Sequence, residues 1–155
     1  MKKLLISSCL LGTPCRYDGR SKPVSLPKEL TENVTLIPVC PEVLGGLSTP
    51  RSPAEIVSRA AGAMKVVNSE GTDVTANYVS GAEKALTIAK ENDCAYALLK
   101  EKSPSCSGGQ VYDGTFSRTL TNGNGVTAEL LKANGIKVFG ESEIEELITE
   151  IVKKM

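Results

Sequence analysis

The chain has 155 residues, long enough to bury a proper core, and its 41% hydrophobic and 23% charged content is that of an ordinary globular protein. Eighteen basic and 18 acidic residues cancel, which argues against a nucleic-acid-binding surface as the main function, and four Tyr and two Phe without Trp offer no base-stacking platform. Histidine is absent, so His-based catalysis and His metal ligands are excluded; acid–base work falls to Asp, Glu, Lys, Cys or water, and any soft metal site must be built from thiolates.

Residues 3–7 (KLLIS) read as the first β-strand. Their apolar stretch, 4–6, is too short for a secretory signal, whose apolar region needs about seven residues. A loop over 8–23 carries the turn dipeptide Asp18-Gly19. Residues 27–33 fit a short helix with Pro27 in its first turn. The second strand is 35–39 (TLIPV), and 40–53 is a Pro- and Gly-rich segment. Residues 64–67 with Glu70-Gly71 suggest an extended or hairpin segment. Over 74–92 the positions Val74, Tyr78, Ala82, Ala85, Leu86 and Ala89 have helical spacing, with Asp73 as the N-cap.

A third strand, 95–99 (AYALL), opens into a long loop over 100–125, and loops of that length are usually functional or disordered. Residues 127–134 read as a helix closed by Gly135, and 137–139 as a fourth strand. The last helix begins at a Ser142/Glu145 capping box and gathers Ile144, Leu147, Ile148, Ile151 and Val152 on one face. Glutamates at its start and Lys153 and Lys154 at its end complement the helix dipole. Its apolar face fits either the sheet or a second subunit, which leaves a homodimer open.

Strands alternating with helices predict an α/β fold: a single three-layer, Rossmann-like domain over 1–155 around a mainly parallel sheet of about four strands. There is no internal repeat and no transmembrane run, so no membrane partner is expected. Five cysteines, an odd number, suit a reducing cytoplasm better than a disulfide framework.

Cys9, Cys40 and Cys106 each follow an apolar run read as a strand. The ligand crevice of an open α/β sheet lies outside the carboxyl ends of its strands. Parallel neighbours would therefore bring three thiols far apart in sequence to one metal site. An iron–sulfur cluster suits them better than zinc, which usually takes four ligands from paired hooks. The bland reading of each is a small buried hydrophobe. Cys94 enters the third strand at its other end and is expected to be inert core, whereas Cys15, in the first loop, is either a ligand, a supporting thiol or neither.

The flanking residues carry a resemblance. Ser8-Cys9-Leu10-Leu11-Gly12 with Cys15-Arg16-Tyr17-Asp18-Gly19 resembles the opening signature of the domain-of-unknown-function family 523. So do Val39-Cys40-Pro41-Glu42 with Gly45-Gly46-Leu47 and Pro50-Arg51-Ser52-Pro53. The third block is Leu99-Lys100-Glu101-Lys102-Ser103-Pro104-Ser105-Cys106, followed by Tyr112-Asp113-Gly114-Thr115-Phe116 and Gly125-Val126-Thr127-Ala128. These blocks run in order through nearly the whole chain.

The best understood enzymes resembling this family are thiouracil desulfurases. The resemblance implies a 4Fe–4S cluster held by three cysteines, Cys9, Cys40 and Cys106 by motif position, with one iron open. It implies catalytic roles for Glu42 and Ser103. The implied activity is non-redox desulfuration of a thiolated pyrimidine such as 2-thiouracil, with C=S hydrolysed to C=O and sulfide taken by the open iron. The alternatives are a non-catalytic metal- or small-ligand-binding α/β module, or a thiol redox protein using Cys9 and Cys15.

Each assignment has a plainer counterpart. Glu42 fits a salt bridge to Arg51 as readily as a general base. The Ser103 hydroxyl fits a turn-stabilising role before Pro104. Asp18-Gly19 and Asp113-Gly114 are most simply turns. Arg16, Arg51 and Lys100 fit substrate or cluster contacts or solvated loop charges equally well, and Gly45-Gly46 admits close approach to a ligand or a simple turn.

Overall fold

The computed structural model describes residues 2–59 and 63–153. Strand β1 (Lys2–Ser7) runs into a 3-10 turn at Ser8–Leu11. Helix α1 (Lys28–Thr31) leads to β2 (Val34–Val39), and a single helical turn, α2 (Pro41–Leu44), follows. Then come β3 (Ala54–Ser58), β4 (Lys65–Asn68), the long helix α3 (Thr75–Glu91) and β5 (Tyr96–Leu99). Strands β6 (Gln110–Tyr112) and β7 (Leu120–Asn122) form a hairpin before α4 (Val126–Ala133) and β8 (Lys137–Gly140). The last helical segment is a 3-10 turn, Glu141–Glu143, then α5 (Ile144–Ile148), then a π-helical turn, Thr149–Lys153. No helix among the described residues is long and apolar enough to cross a membrane.

The four strands expected from the apolar runs pair in parallel, in the order β2-β1-β5-β8. Central parallel strands are buried on both faces and read as continuous apolar runs, as in Leu4, Leu5 and Ile6 of β1. Pro38 is tolerated in β2 because that strand lies at the sheet edge, where a missing N–H costs no ladder bond. Leu4, Ile6 and Leu98 pack with Leu30 of α1 and with Leu147, Ile148 and Ile151 of the last helical segment. Leu5, Ala97 and Leu99 pack on the opposite face with Ala89 of α3 and Leu131 of α4. The sheet thus lies between two helical layers. Each fully buried Leu or Ile contributes about 1.5–3 kcal/mol.

Two hairpins largely escape a reading by periodicity. Strand β4 answers to the extended segment over 64–67, and its antiparallel partner is β3. A register shift between Ile56 and Ser58 breaks the alternation of β3, and buried Glu55 sits where an apolar residue would be expected. Strands β6 and β7 are only three residues each, inside the segment 100–125 that reads as loop. The Ser142/Glu145 capping box does not form. Ser142 donates to the Glu101 carboxylate instead, and Glu143 accepts the Gly140 N–H at 3.0 Å. Lys154 lies outside the described residues. Asp73 accepts the Thr75 N–H at 2.9 Å, but the N-cap position of α3 is Val74, which makes no side-chain cap; Gly135 closes α4 at φ +81°. Cys94 is buried with Ala89, Ala97 and Ile136, as a small hydrophobe would be.

Backbone contact between α2 and α3 sets where Cys40 and Glu42 stand. A Cβ added to Gly45 would lie 2.0 Å from the Asn77 carbonyl oxygen, and one added to Gly81 would lie 1.9 Å from that of Pro41. The close approach allowed by Gly45 is therefore to a helix. Gly81→Ala should destabilise the protein by about 2–3 kcal/mol, because overpacking here meets backbone that cannot rotate away. Gly109→Ala, which meets no atom within 4 Å, should stay within about 0.5 kcal/mol. Urea midpoints at constant m-value test the contrast.

Candidate functional site

Parallel pairing sends the carboxyl ends of β1, β2 and β5 to one edge of the sheet, where a cavity of about 550 Å³ opens. Cys9, Cys15, Cys40 and Cys106 all line it, and all are free thiols. Cys9 comes from the turn after β1, Cys40 from the junction of β2 and α2, and Cys106 from the loop after β5. Burial, reinforced by Cys40, pushes the Cys9 thiol up to about 11. Burial raises Cys106 as well, with Glu42, Cys9 and Cys40 adding to it, while a hydrogen bond from Ser7 opposes the shift. The three thiols therefore share one electrostatic environment. Cys15 is pushed up to about 12 by burial and by Cys40, whose Sγ lies 3.8 Å from the Cys15 carbonyl oxygen.

Among the described residues no three side chains are arranged to grip a single metal ion. Thiolates on one ion must lie within about 4 Å of each other, since each metal–sulfur bond is about 2.3 Å. A polynuclear cluster spreads its ligands more widely, and an all-sulfur donor set without histidine is the chemistry such clusters take. The residues present fit that group.

Glu42, on the cavity wall, is held through one carboxylate oxygen. Its Oε2 accepts Arg51 Nε at 3.2 Å, Arg51 Nη2 at 3.1 Å and the Tyr78 hydroxyl at 3.0 Å. Arg51 is itself nearly buried, at 8% side-chain exposure against 16% for Glu42, and also donates to the carbonyls of Cys15 and Ser48. The salt bridge between Glu42 and Arg51 is thus present, but it uses one carboxylate oxygen. Oε1 accepts no hydrogen bond from the described residues, and no buried polar side-chain atom there lacks a partner, so Oε1 is open to the cavity.

Ser103 likewise has two aspects. Its Oγ accepts the amides of Ser105 at 3.1 Å and Cys106 at 3.0 Å, so it shapes the turn that carries Cys106. The hydroxyl hydrogen stays free to donate toward the cavity that Ser103 lines. Lys100 lines the cavity too, held 3.4 Å from Glu141 while donating to the Glu101 carbonyl. Arg16 lines it beside Asp18, 4.0 Å away. Asp18 accepts the Arg20 amide as a turn residue would, and is not part of the cavity wall.

Three contributors are hidden in the sequence. Tyr78 reads as one apolar position of α3, yet its hydroxyl reaches Glu42 from a residue only 2% exposed. A buried tyrosine normally needs a partner for its hydroxyl, and that is the signal available for it. Ser7 looks like the last residue of a strand, but it bonds the Cys106 thiol and accepts the Lys100 amide at 2.9 Å. Glu55 accepts the Gly114 amide at 2.9 Å and the Phe116 amide at 3.2 Å at the cavity wall.

Because the Arg51 fork is planar and nearly buried, Arg51→Lys should not be conservative. Arg51→Met, which removes the charge altogether, strands the Glu42 carboxylate at a cost of about 3 kcal/mol. A urea midpoint unchanged in Arg51→Met would show that the pair is not structural.

Residues 4–143 match the family described as 2-thiouracil desulfurase. The chain is 43% identical over 150 residues to the uncharacterized protein YbbK of Bacillus subtilis (strain 168), spanning 94% of this chain and 99% of that one. The solved structure of a 4Fe–4S-dependent thiouracil desulfidase, TudS, is similar with a TM-score of 0.88 and 42% identity over 97% of each chain. The chain belongs to the 2-thiouracil desulfurase family.

Proposed function

We propose that this protein is a 4Fe–4S-dependent, non-redox desulfurase that hydrolyses the C=S bond of a thiolated pyrimidine such as 2-thiouracil. The reading is supported above all by one juxtaposition: three free thiols at the ends of parallel strands, beside a carboxylate with one oxygen clamped and the other open. Cys9, Cys40 and Cys106 would hold the cluster. Bound through three thiolates, a 4Fe–4S cluster keeps one iron open as a soft Lewis acid that polarises a thiocarbonyl sulfur.

The chain's own groups supply the rest. Glu42 Oε1 takes a proton from the water that adds to the thiocarbonyl carbon. Arg51 and Tyr78 hold Oε2 and so aim Oε1. Ser103, its oxygen occupied by two amides, donates its hydroxyl hydrogen to the departing sulfur or to the ring. Water supplies the product oxygen and its two hydrogens leave with sulfur, so the thiocarbonyl and water become a carbonyl and hydrogen sulfide without electron transfer. A thiol redox role for Cys9 and Cys15 is disfavoured, because nucleophilic thiols have lowered pKa values and burial raises both of these.

Anaerobic reconstitution should give a brown protein with iron and acid-labile sulfide in equal amounts. Cys9→Ala, Cys40→Ala and Cys106→Ala should each lose it. The loaded protein should release sulfide from 2-thiouracil and form uracil. Glu42→Gln should keep its iron and lose at least about a hundredfold in kcat. A protein that stays colourless under these conditions sinks the cluster assignment, and full turnover by Glu42→Gln sinks the base.

A further inference from the structure

Five large hydrophobic side chains are exposed among the described residues: Leu11, Val43, Val57, Val79 and Phe116. Only Phe116 is aromatic, and of the five it alone lines the cavity that holds the thiols. At 40% exposure it belongs to none of the three apolar core clusters and stacks on no other aromatic ring described. An exposed aromatic side chain on a cavity wall calls for a reason, since burying it elsewhere would contribute a few kcal/mol.

The backbone is built to keep it there. Phe116 has φ +58°, a left-handed conformation that costs a non-glycine residue about 1 kcal/mol or more. Glu55, only 8% exposed, commits one carboxylate oxygen to the amides of Gly114 and Phe116 and forms no salt bridge among the described residues. Gly114 sits against β3, where an added Cβ would meet the Ile56 carbonyl oxygen at 2.6 Å. A run of hydroxyls completes the loop: Thr115 Oγ1 bonds Asp113 at 2.6 Å and Ser117 at 2.5 Å, and Ser117 bonds Thr119 at 2.8 Å. Segment 113–119 is therefore clamped to β3 and braced along its length. Phe116, within this segment, lines the cavity and belongs to none of the apolar core clusters.

We infer that Phe116 is the stacking surface for the planar ring of the substrate, and that Glu55 is the positioning residue that fixes it. This rests on the desulfurase reading above and adds a substrate-binding residue to it. The ligand class is a flat, aromatic or conjugated heterocycle. Stacking tolerates changes at the ring edge, because every such ring has a π-face. Discrimination among thiolated rings then falls to the groups around the ring rather than to Phe116.

The test uses the anaerobically loaded enzyme, with 2-thiouracil as substrate and uracil as a non-reacting competitor. In Phe116→Ala the KM for 2-thiouracil and the Ki of uracil should each rise about tenfold, the usual scale for losing a base–aromatic stack. The value of kcat should stay within about twofold, since uniform binding is what is lost. Phe116→Tyr, which keeps the ring, should retain both constants, and Phe116→Leu, apolar but without a π-face, should not. Wild-type enzyme that turns over 2-thiouracil while Phe116→Ala keeps both KM and Ki overturns the stacking role and leaves the desulfurase reading intact. A fall in kcat without a rise in KM overturns the stacking role as well. A loaded wild-type enzyme that neither releases sulfide nor responds to uracil overturns both.

Discussion

Parallel pairing of β1 with β2 on one side and β5 on the other is the constraint on which the site depends. In a parallel sheet every strand leaves at the same edge, so residues separated by up to 97 positions, Cys9 and Cys106, arrive at one wall without any long-range specification of their own. The apolar run of β1 enforces this. With Leu4, Leu5 and Ile6 buried on both faces, the strand must be central, and a central parallel strand needs helices above and below. Packing thus determines which chain ends meet, and only then does the chemistry of those ends matter.

A second constraint is the management of charge near the thiols. A carboxylate beside sulfur groups that take up negative charge is costly unless countered, and Arg51 does this from a nearly buried position. Its fork ties three pieces of chain together: Glu42 on α2, the Cys15 carbonyl in the first loop and the Ser48 carbonyl after α2. Tyr78 adds a neutral donor from α3, placed by the glycine-lined contact between α2 and α3. The ion pair and the open oxygen are two halves of one arrangement. Saturating Oε2 is what leaves Oε1 oriented and unoccupied.

Much of the scaffold is legible in the residues alone. The strands over 3–7, 35–39, 95–99 and 137–139 differ from the observed ones only at their ends, because continuous apolar runs have no other way to be buried. The helices over 74–92 and 127–134 follow from their spacing and, for the second, from Gly135. What escapes is short or irregular. Strand β3 is broken by a bulge, β6 and β7 are too short for alternation to register, and Ser142 turns to Glu101 rather than to an amide of its own helix. Periodicity reports burial averaged over several residues, so it is blind to elements of three or four.

The sequence by itself determined the sheet, its parallel sense and the family, because apolar runs and ordered motif blocks are local properties of the chain. It also marked Cys9, Cys40, Cys106, Glu42 and Ser103 as residues to watch. Only the tertiary structure decided that Glu42 is clamped through one oxygen by Arg51 and Tyr78, that the Ser103 oxygen holds the Cys106 turn, and that Glu55 presents Phe116 at the cavity wall. The physical reason is that these are directional contacts between segments distant in sequence. A hydrogen bond depends on a few tenths of an ångström and on angle, whereas hydrophobic burial depends on little more than area.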